Sequence, residues 1–169
     1  MEVVQVSTGQ VLGATLVQMQ PVSPGIFEYP GGQAGKTHFA AVINQDGTIN
    51  SATNPAVRGS VISIYATGQG YVPGAPPDGT PVAAALNSPA ALTVYLNAAD
   101  VNSYADEAFQ HVQYSGLDEL VGIWQINVQI PKDVPPSSQT NGTTQLAIIV
   151  DGVVNFDISQ GWYTVIAVK

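Results

Sequence analysis

The chain has 169 residues, of which 12 are acidic and only four are basic, for a net charge of −8. Four bases (Lys36, Arg58, Lys132 and Lys169) cannot form the positive footprint that releases counterions from nucleic acid, and an anionic membrane surface would repel such a chain. There is no cysteine, which removes disulfides, thiolate chemistry and Cys-ligated zinc.

Charged residues make up 9% of the chain, against roughly 25% in an average soluble protein. Apolar residues make up 45%, enough to fill a core without metals or cross-links. With 17 glycines and 12 prolines among many Val, Ile and Thr, the composition is that of an all-β protein with a weakly charged surface. No run reaches the roughly 18 apolar residues of a membrane span. The first residues lack a basic region followed by an apolar one, so neither membrane insertion nor a signal peptide is expected.

Taken in chain order, EVVQV, a turn at STG, and QVLGATLVQMQPV predict a hairpin. Its second strand would place Leu12, Ala14 and Leu16 on one face. SPGIFEYPGGQAGK reads as a crossing segment, because Pro24, Pro30 and the glycines disfavour a strand interior. THFAAVIN, QDGT and INS predict a short hairpin turning on Asp46-Gly47. VISIYAT gives the clearest alternation, with Val61, Ser63, Tyr65 and Thr67 opposite Ile62, Ile64 and Ala66. Residues 69–89 read as a long ordered loop crossing between sheets.

ALTVYLNA predicts another strand. DVNSYADEAF could form a helical turn or two before QHVQYS returns to strand alternation. In GIWQINVQIP, Trp124, Ile126 and Val128 share one face, which makes Trp124 a core residue. KDVPPSSQTNG is a loop, and TTQLAIIVDG and WYTVIAVK are the closing strands. Eight to ten short strands with Pro/Gly crossings predict a sandwich of two antiparallel sheets. The first and last hairpins echo one another. Such an echo is expected if residues 1–20 belong to the end of a preceding repeat, or serve as an exchange strand, with residues 21–169 forming the sandwich.

Chemistry is sparse. Asn44, Asp46, Thr48 and Asn50 loosely mimic the start of a calcium loop, but one carboxylate is too few, and an Asx turn explains them better. Amides in NQDGTINSATNPAVRG are expected to bond to backbone at a corner of the sandwich. His38 and His111 have no second imidazole at chelating spacing. There is no G-x-S-x-G elbow, and ATGQGYVPGAPPDG lacks the Lys-Ser/Thr pair of a phosphate loop. Asn141-Gly142-Thr143 is a formal glycosylation sequon that also reads as a turn, and Lys36 is a conceivable isopeptide donor with no marked acceptor.

Tyr65, Tyr71, Tyr95, Tyr104, Tyr114, Trp124, Trp162 and Tyr163 could line a sugar-stacking face, although its alternation makes Trp124 a core residue. Asp106, Glu107, Asp118 and Glu119 are the carboxylates from which a glycosidase pair would be drawn. Four acids in one loop are more often simply solvated. No catalytic, cofactor or metal residue is assigned.

SPGIF, AAVINQDGTINSATNPAVRGSVISIYATGQG, PPDGTP, VQYSGLDELVGIWQINVQIP and AIIVDG occur in this order. Together, from about Val22 to the end, they resemble an uncharacterised C-terminal domain of large secreted proteins of Acidobacteria, Solibacter above all. The resemblance implies an immunoglobulin-like antiparallel β-sandwich and no assigned activity. NAADVNSYADEAFQHVQYSGLDEL and VVNFDISQGWYTV are longer than that pattern, and insertions are where a particular function would sit. The expectation is a non-enzymatic structural or adhesive module of a secreted or cell-surface bacterial protein. Its partners would be neighbouring domains or copies of itself, with assembly by strand addition. The alternative is a polysaccharide-binding module using aromatics of the 100–120 insertion.

Overall fold

The computed structural model describes residues 2–16, 18–29, 37–105, 110–135, 143–155 and 163–169. They form an all-β protein built on two antiparallel sheets packed face to face, plus a separate two-stranded ribbon. The ribbon is β1 (Glu2–Gln5) and β2 (Gln10–Ala14). Next come β3 (Gly25–Ile26), β4 (Thr37–Phe39), β5 (Val42–Ile43), β6 (Val61–Thr67), β7 (Leu86–Asn87), β8 (Leu92–Leu96) and β9 (Ala99–Asp100). A 3₁₀ turn at Val101–Ser103 leads to β10 (Val112–Leu117), β11 (Trp124–Gln129), β12 (Thr144–Val150), β13 (Val153–Val154) and β14 (Tyr163–Ile166).

One sheet has the order β3-β6-β11-β10-β7, with β5 sharing the β6 edge, and the other has β4-β14-β12-β8-β9, with β13 on β12. Among the described strands all pairings are antiparallel except β4 with β14, which run parallel, and an isolated Ala56–Val168 bridge is parallel as well. The strongest strands are those whose alternation places β-branched residues on one face. Ile62, Ile64 and Ala66 of β6 point inward, as do Trp124, Ile126 and Val128 of β11. Val94 and Leu96 of β8 and Leu146, Ile148 and Val150 of β12 meet them from the second sheet in one core cluster. Each fully buried Ile or Leu is worth about 1.5–3 kcal/mol. Trp124 is completely buried, and its indole N–H donates to Ser115 Oγ at 3.0 Å.

Three local expectations need correction. The first hairpin forms, but its second strand is shorter than QVLGATLVQMQPV: β2 stops at Ala14, and both faces of the ribbon are exposed. Alternation buries a face only where another layer covers it. The segment around Asp46-Gly47 does form the expected short hairpin, with Asn44 N–H donating to the Thr48 carbonyl, Asn50 N–H to the Val42 carbonyl and an antiparallel Ile43–Ile49 bridge, but THFAAVIN is not a single strand. β4 instead joins β14 in the second sheet and β5 joins β6 in the first. Residues 69–89 do not cross directly between sheets either. They hold β7, which edges the first sheet beside β10, and the chain enters the second sheet at β8.

Candidate functional site

The oxygens and amides of the 44–50 loop are engaged in hydrogen bonds of the fold. Asn50 is fully buried, and its amide acts like an extra strand residue. Its Nδ2 donates to the Ala167 carbonyl at 2.9 Å, and its Oδ1 accepts from the Ala167 N–H at 2.8 Å. The same Nδ2 donates to Asn44 Oδ1 at 3.0 Å, and Asn44 Nδ2 donates to Thr48 Oγ1 and to the Asn54 carbonyl. Asp46 is exposed. Its Oδ1 accepts from the Thr48 hydroxyl at 2.7 Å and the Thr48 N–H at 3.0 Å, and these bonds hold its carboxyl below its ordinary value. The oxygens of this loop therefore tie the corner of the sandwich to the last strand, as scaffold. Among the described residues, no cluster of three His, Asp or Glu side chains could hold a metal ion.

The two histidines lie apart. His38 Nδ1 is 2.7 Å from Glu28 Oε2 at the β4 edge. His111 is buried, with Nδ1 at 3.0 Å from the Gln129 carbonyl and its own N–H donating to Asn102 Oδ1. The aromatics of the 100–120 insertion are anchored. Tyr104 donates its hydroxyl to the Leu96 carbonyl at 2.8 Å and Tyr114 to the Leu117 carbonyl at 2.6 Å. Burial raises both phenol pKa values, and Asp133 near Tyr104 and Asp118 near Tyr114 add to the rise. Tyr71, outside that insertion, is exposed at 81%. Lys36, Asp106, Glu107, Asn141, Gly142 and Trp162 lie outside the described residues.

The features that do stand out are at the two ends of the sandwich and on the ribbon. At one end, called here the leading end, β6 finishes at Thr67 beside the start of β11, since Ala66 faces Trp124. Residues 21–23 join the sandwich here, with Ser23 N–H donating to the Gly68 carbonyl at 2.9 Å. Gly68 has φ +80°, and a Cβ there would fall 1.8 Å from the Ser23 carbonyl oxygen, so only glycine fits. A cleft of about 300 Å³ opens at this end between residues 75–82 and 117–122. Pro76, Pro77, Asp78, Leu117, Asp118 and Leu120 line it.

At the opposite, trailing end, Val61 faces Gln129. Gly59 N–H donates to the Ile130 carbonyl and Arg58 N–H to the Lys169 carbonyl. The Lys132 side chain lies against Gly59. Arg58, Lys132 and Lys169 therefore gather at one end, although they are scattered in sequence. The chain runs through the sandwich from end to end: the seven residues of β6 alone separate the two ends by about 20 Å.

Among the described residues the ribbon pairs only with itself. Every residue of β1 and β2 is exposed. Val3, Val4, Val6, Val11, Leu12 and Leu16 all face solvent, Leu16 completely. An isolated two-stranded ribbon is marginal in water and keeps an unpaired edge on each strand. A matching half-open edge exists on the sandwich. β10 has β11 on one side, whereas β7 pairs only with Gly116 and Leu117 on the other, so among the described residues no strand flanks the far side of Val112–Tyr114. That open half lies toward the trailing end, because Val112 faces Val128.

No helix among the described residues is long and apolar enough to cross a membrane. Compared with protein-family models, curated proteins and solved structures, the chain matches none.

Proposed function

We propose that this chain is an immunoglobulin-like, non-enzymatic structural module of a secreted or cell-surface bacterial protein, and that it assembles with copies of itself by strand addition. The strand order supports the immunoglobulin-like reading. β3-β6-β11-β10 in one sheet and β14-β12-β8 in the other follow the A-B-E-D and G-F-C arrangement of that sandwich. The usual strand-C tryptophan and disulfide are replaced by Trp124 on β11 and an aliphatic core.

The observation that carries the assembly reading is the ribbon. It holds an unpaired edge and a run of exposed valines and leucines, and it is tethered to the leading end through Ser23, while the open half of β10, as seen among the described residues, lies toward the trailing end. A donor at one end and an acceptor toward the other make a head-to-tail contact, which propagates into an open array instead of closing as a dimer.

The test is removal of residues 1–20, followed by light scattering and negative-stain imaging. The expected outcome is loss of oligomers or fibres with a soluble subunit retained. Fibres that persist without these residues would overturn the strand-addition reading.

A further inference from the structure

The two ends of the sandwich differ in charge as well as in shape. The leading end carries Asp78 and Asp118 in the cleft wall, with Glu119 beside them. Asp151, at the far end of β12, adds another carboxylate, and its Oδ1 accepts from the Ala91 N–H. All three described basic residues, Arg58, Lys132 and Lys169, are at the trailing end. Lys132 and Lys169 are exposed and Arg58 is half-buried, with its Nε donating to the Val134 carbonyl at 2.8 Å. Asp46, Asp100 and Asp133 share that end, which leaves it close to neutral. The molecule is thus a strongly acidic body whose described positive charge is confined to the pole opposite an acidic cleft.

That arrangement is self-complementary only head to tail. Two leading ends would bring carboxylates together, and two trailing ends would waste the contrast. We propose that the Asp78–Asp118 cleft of one copy receives the Arg58–Lys132–Lys169 end of a second copy. The apolar wall supplied by Pro76, Pro77 and Leu120 suits the exposed Val57 that precedes Arg58. Long Lys stems can lie along such apolar surface while their ammonium groups reach the carboxylates. The contact rests on the assembly reading above and gives it a polarity and a register. Its forces are electrostatic and side-chain based, whereas strand addition is a backbone contact.

The test uses the full chain in sedimentation velocity over a concentration series. Raising NaCl from about 0.01 M to about 1 M shortens the screening length from roughly 30 Å to roughly 3 Å. Association is expected at low salt and should weaken about tenfold or more at high salt, as a few exposed ion pairs acting together would. The double variants Asp78→Lys/Asp118→Lys and Lys132→Glu/Lys169→Glu should each stay monomeric at low salt, since each places like charges at both ends. Mixed one to one, they should associate again, because each then offers the other an opposite end.

A ribbon variant, Val4→Pro/Leu12→Pro, separates this contact from strand addition. Charge-dependent association that survives in it supports the end-to-end contact, even if strand addition fails. Association that ignores both charge reversals, or a monomer under all conditions, would overturn the proposal. If the ribbon variant alone abolished such charge-indifferent association, strand addition would stand without the end-to-end contact.

Discussion

Replacing Asn50 by alanine should cost the fold more than any other polar substitution in the 44–60 segment. The side chain is completely buried and makes three bonds. Truncation does not orphan every partner. The Ala167 carbonyl keeps the Ala56 N–H at 2.9 Å. The Ala167 N–H and Asn44 Oδ1 lose the bonds that Asn50 supplied, and both belong to buried residues. A buried polar group left without a partner costs about 1–3 kcal/mol, so the pair comes to about 2–6 kcal/mol. In a domain of this size each kcal/mol shifts Tm by about 2–4 °C, and a central value of about 4 kcal/mol therefore predicts a fall of about 8–16 °C. Urea and thermal unfolding followed by circular dichroism measure it. Asn54→Ala is the control: that residue is exposed and bonds through its backbone, so a change within about 0.5 kcal/mol is expected. An Asn50→Ala variant within about 1 kcal/mol of the parent would refute the claim that orphaned partners set the cost.

Four other outcomes follow from the same geometry. Gly68→Ala forces a left-handed backbone on a residue with a Cβ and drives that carbon into the Ser23 carbonyl; it should destabilise by about 3 kcal/mol or more, and a smaller loss in urea would mean that residues 21–24 are loosely seated. Trp124→Ala empties the centre of the core and should cost about 3–5 kcal/mol, a value the same unfolding experiment checks. The Asp46 carboxyl is held below its ordinary value of 3.8, chiefly by the Thr48 hydroxyl, so the stabilisation it brings is present above that value and is lost as the pH falls through the lowered one. Thr48→Val should move the Asp46 titration upward in carboxyl NMR, and no movement would count against the turn bonds. Tyr104 and Tyr114 are raised above 10.0 by burial; their contribution is complete below that pH and is lost as pH rises through the raised values. In an ultraviolet titration, each Tyr→Phe variant should remove one late-titrating phenol.

The strands that were legible in sequence are those that carry the core. β6, β8, β11 and β12 alternate, and alternation is a local property that survives without knowing the partner. The two-residue strands β3, β5, β7, β9 and β13 are defined by what lies beside them, so the expected eight to ten strands become fourteen among the described residues. Nor does anything near residue 37 announce a parallel partner at residue 163. The corner amides were readable in kind, as groups that bond to backbone. That Asn50 reaches Ala167, 117 positions away, was not. The trailing end shows the same limit. Arg58, Lys132 and Lys169 look isolated along the chain, and only the β6–β11 register and the Arg58–Lys169 backbone bond bring them together.

The ribbon and the two ends also explain one another. A weakly charged all-β protein with an open sheet edge is at risk of unregulated pairing, and such edges are commonly blunted by charge, proline or short strands. Here β7 shortens one edge and β9 another, each with two residues, and the Val112–Tyr114 stretch is the part of β10 that β7 leaves bare. An exposed apolar ribbon on the same molecule would aggregate at random if any approach were equally good. A charge contrast along the long axis removes that freedom. In the proposed assembly it would disfavour leading-to-leading encounters, where carboxylates meet, and favour leading-to-trailing ones, which would bring the ribbon of one copy toward the open half of β10 on the other. In the proposed assembly, steering and pairing would act in sequence: long-range charge would set the polarity and backbone pairing the lifetime. High salt should accordingly slow assembly more than it loosens arrays already formed. Stopped-flow light scattering on assembly and dilution-induced disassembly would show this, and a salt effect confined to disassembly would mean that charge plays no part in orientation.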